Sequence, residues 1–293
     1  MIHCPTIPIR LAAGAILLIG IVSAAVMVTR SSVREPELNG IPLSHFLDKQ
    51  TYGELRTERD ARESIRDFGT NAVPFLVAIL DARESRLRVA MRELLSRQSF
   101  LRISLPPLFI RQRQAALACA ELGPLASGAS AALTRLVNDP LLCRHALGAL
   151  AMIGPQSFPA LTNALASANR EARAEAAGVL RYMTPRHAPV EVLLRALADP
   201  EPEVRSNAAG SLAFLHCEIE RVLPALVERL GDSNQTVRIN VAQSLGWLQA
   251  DARPALPALC RLKAQGADPA DEIKINDAIR MIETSPREPG GSR

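Results

Sequence analysis

The stretch "DPEPEVRSNAAGSLAFL" at residues 199–215 returns 33 residues later as "DSNQTVRINVAQSLGWL" at 232–248, with eight of 17 columns identical. Asp199/Asp232, Val204/Val237, Arg205/Arg238, Asn207/Asn240, Ala209/Ala242, Ser211/Ser244, Leu212/Leu245 and Leu215/Leu248 are the matched pairs. A repeated unit has to pack on copies of itself, so a fixed period constrains the fold more than composition does. Aligned on the apolar residue that closes the first half of each unit, the chain gives Leu122, Ile153, Met183, Leu215, Leu248 and Ile282, at spacings of 31, 30, 32, 33 and 34. Phe68 in "ARESIRDFG" marks an earlier copy, set apart by an insertion. Second apolar segments follow these markers: "VPFLVAIL" (73–80), "SAALTRLV" (130–137), "FPALTNAL" (158–165), "VEVLLRAL" (190–197), "LPALVERL" (223–230) and "LPALCRL" (256–262).

Both halves of a unit read as helices. Val204, Ala208, Leu212 and Leu215 fall at i, i+4, i+8 and i+11, one helical face. Asp199 and Asp232 stand where a side-chain oxygen caps free N–H groups, and Pro200 and Pro202 suit a first turn. Gly123-Pro124 and Gly154-Pro155 end first helices, since Gly accepts a left-handed terminus and Pro blocks continuation. Pro74, Pro159, Pro224 and Pro257 fall at starts of second helices. No segment alternates with period two, so essentially no sheet is expected. The prediction is an all-α chain, an α-solenoid (α-α superhelix) over residues 58–283, whose Ala- and Leu-rich helices pack closely. In such a stack Arg173, Arg205 and Arg238 share a column and are expected to tie adjacent units by bonding loop carbonyls or the Asp that precedes each.

The N-terminal residues follow a different rule. "LAAGAILLIGIVSAAVMV" (11–28) carries no charge, and as a helix it spans ~27 Å, close to the hydrocarbon thickness of a bilayer. A cleaved signal peptide ending after "VSA" (Val22–Ala24) is one reading, but the apolar run continues to Val28. The reading adopted is an uncleaved transmembrane signal anchor within residues 1–34, with a linker and short amphipathic helix at 35–57. The expected localisation is a single-pass membrane protein with the repeat domain extracytoplasmic. Arg10 on one side and Arg30 and Arg34 on the other leave the positive-inside rule nearly balanced. The tail at 284–293 is expected to be disordered.

Residues 81–114, "DARESRLRVAMRELLSRQSFLRISLPPLFIRQRQ", interrupt the period. Arg83, Arg86, Arg88, Arg92 and Arg97 lead a run of Arg within them. An amphipathic helix followed by an extended "ISLPPLF" turn, its Arg solvated, is one reading. A cationic patch for an acidic protein, lipid headgroups or nucleic acid is the other.

Catalytic chemistry has little support. The five His are scattered, and H-E-x-x-H, G-x-S-x-G, Walker A and G-x-G-x-x-G patterns are all missing. None of the five Cys forms a C-x-x-C pair, so zinc and redox motifs are unsupported. His216 and Cys217 are adjacent on a helix and point apart, which argues against a dyad. The net charge of +4 does not demand nucleic acid. Trp and Tyr number only three, too few for a base-stacking platform.

The pattern "DPEPEVRSNAAGSLAFL … VLPALVERL" resembles a HEAT repeat of the short type found in phycobilin lyases, over roughly residues 58–283. The anchor, "EPELNGIPLSHFLDK" (35–49) and "ARESIRDFGTNAVPFLVAIL" (61–80) together resemble membrane-anchored bacterial HEAT-repeat proteins. That resemblance implies an architecture and no reaction. The expected function is a membrane-anchored scaffold without catalytic activity or cofactor, holding a protein or peptide on its concave face. Exposed second-helix positions Thr162, Asn163, Arg195, Glu228, Arg229 and Arg261 are the candidate contacts. The membrane is expected to meet residues 11–28, while nucleic acid and small molecules are not expected as partners. An enzyme resembling phycobilin lyases and a nucleic-acid binder using the Arg-rich insertion remain the alternatives.

Overall fold

The computed structural model describes residues 33–52, 55–96, 106–183, 190–266 and 268–286. The candidate anchor at 11–28 lies outside them. The chain divides into two compact units, residues 1–115 and 116–293.

The first unit opens with a two-stranded antiparallel ladder, β1 (Glu37–Leu38) against β2 (Ile41–Pro42), pairing Glu37 with Pro42 and Leu38 with Ile41. These four residues are the only strand residues among the described residues, in keeping with the expectation of essentially no sheet. Asn39 and Gly40 both take positive φ, 52° and 76°, the backbone that a tight Asn-Gly hairpin needs. Helices α1 (Leu43–Tyr52), α2 (Leu55–Phe68), α3 (Val73–Leu80) and α4 (Arg86–Ser96) follow. Phe46 and Phe68 meet edge to face at 5.7 Å between ring centres, joining α1 to α2.

Next come α5 (Leu108–Leu122) and α6 (Ser130–Arg135). Helix α5 begins inside the segment read as an insertion, so residues 108–114 are helical and the extended "ISLPPLF" turn is corrected at its end. Together α5 and α6 form the one helical run among the described residues long and apolar enough to cross a membrane (Leu108–Arg135, mean hydropathy 1.3). Half of its most apolar window is buried in protein, and Gly123 at φ +55° breaks it, so its composition is explained by core packing.

In the second unit, first helices α7 (Cys143–Ile153), α9 (Arg170–Val179), α11 (Pro202–Leu215), α13 (Gln235–Trp247) and α15 (Pro269–Thr284) pack one on the next. Second helices α8 (Phe158–Ala164), α10 (Val190–Ala196), α12 (Ile219–Arg229) and α14 (Leu256–Ala264) lie against them. Ala172, Ala176, Val204, Ala208, Leu212, Val237, Val241, Leu245, Ile275 and Ile282 are fully buried in this stack. At each such Leu or Ile the burial stabilises by about 1.5–3 kcal/mol. Small residues let the helices approach. A Cβ on Gly246 would lie 3.0 Å from the Ala278 Cα of α15.

The recurring columns have structural reasons. Asn207 donates to the Ala174 carbonyl at 2.8 Å, and Ser211 to the Ala177 carbonyl at 2.6 Å, both on the preceding first helix. Asp199 and Asp232 are not N-caps, which corrects that expectation. The N-cap positions are Glu201 and Asn234, and each Asp sits two residues earlier, accepting the N–H of Glu201 or Asn234 at 2.9 Å. The Asn234 side chain caps α13 by accepting the Val237 N–H at 3.2 Å.

Candidate functional site

Two sets of polar side chains recur from unit to unit, and they do different work. The first is the Arg column of the first helices. Arg205 is 8% exposed and grips Asp232 in a bidentate pair, Nε to Oδ2 at 2.8 Å and Nη2 to Oδ1 at 2.7 Å. Its Nη1 donates to the carbonyls of Asp199 at 2.8 Å and Pro200 at 3.1 Å. Arg173 repeats the pattern, binding Asp199 at 2.9 and 3.2 Å and the Ser167 carbonyl at 3.0 Å. The carboxylate therefore comes from the loop of the following unit, and the preceding loop contributes carbonyls. Arg238 reaches the Asp232 carbonyl at 2.8 Å and the Ser233 carbonyl at 3.3 Å. At the spacings of the other two pairs, 26 and 27 residues, the next carboxylate would fall at position 264 or 265, which are Ala264 and Gln265.

These contacts set the charges. The Arg205 guanidinium holds the Asp232 carboxyl below the usual carboxylate range, against the opposing effect of burial. Asp232 in turn raises Arg205, and Asp199 raises Arg173. In α7 the same column carries Cys143, 3% exposed, whose thiol burial pushes up to about 11. Burial alone drives the Cys119 thiol to about 12. Neither is a nucleophile at neutral pH.

The second set lies on the second helices, two positions after the buried Leu that anchors each: Leu133, Leu161, Leu193, Leu226 and Leu259. That column reads Arg135, Asn163, Arg195, Glu228 and Arg261, every one exposed. The structure thus brings Asn163, Arg195, Glu228 and Arg261 into register and adds Arg135, which sequence reasoning missed. Counting from the buried Leu would have found it. Arg229 falls one position off the column, partly covered, and pairs with Glu228 beside it. Thr162 is also off the column, and its hydroxyl donates to the Phe158 carbonyl of its own helix at 3.1 Å. Asn163 opens onto a groove of about 430 Å³ between α6 and α8, also lined by Thr134, Asn138 and Ser167. Ser167 bridges the groove by donating to Asn138 at 2.7 Å.

In the first unit, Arg83 and Arg86 are exposed, and Arg97 lies outside the described residues. Arg92 pairs with Glu84. Arg88 is half-buried, and burial followed by the charge of Arg111 lowers its pKa. The candidate cationic patch is thus part patch, part packing, and the expectation of uniformly solvated Arg is corrected. His216 is exposed and bonds Asp251 at 2.8 Å, while Cys217 is half-buried, so the two form no dyad. No group of His, Cys, Asp or Glu suited to a metal occurs among the described residues.

Stacked helix pairs joined by cross-unit Arg–Asp bonds place the chain among helical-repeat proteins of the α-solenoid class. Residues 158–245 and 190–275 match the family of HEAT repeats. The fold is also similar to an engineered protein (19% identity, 83% of this chain and 96% of that one, TM-score 0.41). It is similar to the complex of CpcE and CpcF of phycocyanin lyase from Nostoc (19% identity, 87% and 98%, TM-score 0.38). A designed armadillo repeat protein in complex with the peptide (KR)4 is similar at 16% identity, 71% and 99%, TM-score 0.39. No curated protein matches the chain in sequence.

Proposed function

We propose that the protein is a membrane-tethered scaffold that binds an extended peptide segment of a partner along its second helices, without catalysis. The observation that carries this reading is the exposed column Arg135–Asn163–Arg195–Glu228–Arg261, held in register by a rigid stack. Rigid repeats present their contacts at little ordering cost. Packed helices lie ~8–10 Å apart, and an extended chain rises ~3.3 Å per residue, so each unit matches about three peptide residues. Arg195, Glu228 and Arg261 then select acid, base and acid at i, i+3 and i+6. The tether is the apolar run at 11–28, and the repeats face outward from the membrane.

The test uses a labelled peptide with the pattern Asp-x-x-Lys-x-x-Asp and fluorescence anisotropy on the full chain. Exposed ion pairs contribute roughly 0.2–1 kcal/mol each. Replacing Arg195 and Arg261 by Ala weakens binding by about tenfold, and Arg229→Ala changes it less. Glu228→Lys loses the peptide and recovers it when the central Lys becomes Glu. Equal affinity across these variants rejects the second-helix face.

A further inference from the structure

The first helices carry a separate feature. From Ile153 onward, the residue just before each closing apolar position is large, apolar and exposed, whereas Glu121 precedes Leu122. The exposed residue is Met152 on α7, Tyr182 in the turn after α9, Phe214 on α11, Trp247 on α13 and Met281 on α15, with exposures of 43, 57, 59, 45 and 36%. All five are in the second unit, one per repeat, so the stack sets them in a row. The row is continuous at its centre. A Cβ on Gly210, one turn before Phe214, would lie 3.8 Å from the Trp247 ring, and one on Gly246 would lie 3.6 Å from the Met281 sulfur.

We infer that this row is the contact surface for a second copy of the chain, related by a two-fold axis through Phe214. Three observations select that occupant. First, the row reads Met–Tyr–Phe–Trp–Met, the same class of side chain outward from Phe214 in either direction. A two-fold contact brings a patch onto itself, setting Phe214 on Phe214, Tyr182 on Trp247 and Met152 on Met281. Second, the charges complement across that axis. Arg181 stands beside Tyr182, donates Nε–H to the Gly178 carbonyl at 2.8 Å and forms no ion pair among the described residues. Asp251 follows Trp247 by four residues and bonds His216 at 2.8 Å, with its side chain still 53% exposed. The axis places Arg181 of one copy opposite Asp251 of the other.

Third, the area fits. With 150–250 Å² for a whole side chain of this size, the row exposes roughly 500 Å² of apolar surface. A stable interface buries ~800 Å² per partner, about 65% of it apolar in homodimers, which is the same apolar area. Such a patch is also at the upper end of what a monomer leaves bare. Dimerisation on first helices leaves the second-helix column open, so this inference stands whether or not the peptide reading holds.

Sedimentation equilibrium of the full chain in density-matched detergent tests it, with and without Phe214→Glu. The wild-type chain is expected at twice its monomer mass and Phe214→Glu at monomer mass, with unchanged far-ultraviolet circular dichroism. Arg181→Asp separates the copies and Arg181→Asp with Asp251→Arg rejoins them. For a readout independent of these variants, Phe214→Cys should give a covalent dimer with a short bis-maleimide that the parent chain does not. A wild-type monomer at ~100 µM overturns the inference, as does a dimer indifferent to Phe214→Glu. A monomer that binds neutral vesicles through Phe214 also overturns it, and assigns the row to lipid.

Discussion

Replacing Arg205 with Met keeps the side-chain stem and removes the guanidinium. Asp232 is then left as a buried carboxylate, its side chain 3% exposed, with one remaining donor, the Asn234 N–H at 2.9 Å. The Asp199 and Pro200 carbonyls lose their donor as well. Breaking one side of a buried pair costs about 3–5 kcal/mol, because an uncompensated charge stays behind. Arg173→Met exposes a less buried partner, with side chains 15% and 12% exposed, and costs about 1.5–3 kcal/mol. Arg238→Met removes carbonyl bonds alone and costs about 1 kcal/mol. Urea denaturation of the full chain, followed by circular dichroism, reads this series as falling midpoints. The double variant Arg205→Met with Asp232→Leu recovers most of the loss, since both charges leave together. Equal losses at Arg173, Arg205 and Arg238, or additive effects at Arg205 and Asp232, would refute the assignment of the column to the stack.

Other outcomes follow from the same geometry. Gly246→Ala forces its Cβ against the Ala278 backbone and destabilises by about 1–3 kcal/mol, seen as a lower thermal midpoint. The folded pKa of Asp232 lies below its unfolded value, so its contribution is full above ~4 and is lost as pH falls through the folded pKa. Midpoints measured from pH 6 down to 2 therefore decline, and the decline is shallower in Asp232→Asn. Cys119 and Cys143 stay unmodified by a maleimide at pH 7.5 in the folded protein while exposed Cys260 reacts, a contrast that peptide mass spectrometry resolves. A reporter fused after Arg293 and active only on export gives signal if the repeats face outward.

The period, the helix pairs and the recurring Arg, Asn and Ser columns were legible because each position faces the same kind of packing in every unit, although Ser211 bonds the preceding first helix and Ser244 the Asn240 carbonyl of its own. Steric demand at Ala209 or Leu212 is set by the stack, so residue type repeats at Ala242 and Leu245. Direction was harder to read. Sequence places Asp199 ahead of Arg205 and suggests that pair, whereas helix stacking carries the guanidinium forward to Asp232 and gives Asp199 to Arg173. The Asp–cap assignment failed for a related reason, since two extra residues let Asp199 and Asp232 brace the turn and move the N-cap position to Glu201 and Asn234, of which only Asn234 caps with its side chain. Met152, Phe214 and Trp247 hid beside buried Ile153, Leu215 and Leu248, because two adjacent apolar residues read as core until a structure shows which one faces water. Arg135 escaped notice because its helix is short and ends at that residue.

Hydrogen-exchange mass spectrometry of the full chain, with and without the Asp-x-x-Lys-x-x-Asp peptide, tests the binding face most directly. Protection on 190–196, 219–229 and 256–264, with 143–153 and 202–215 unchanged, is the predicted result. Protection confined to the first helices, or none at saturating peptide, would contradict a scaffold that binds along its second helices.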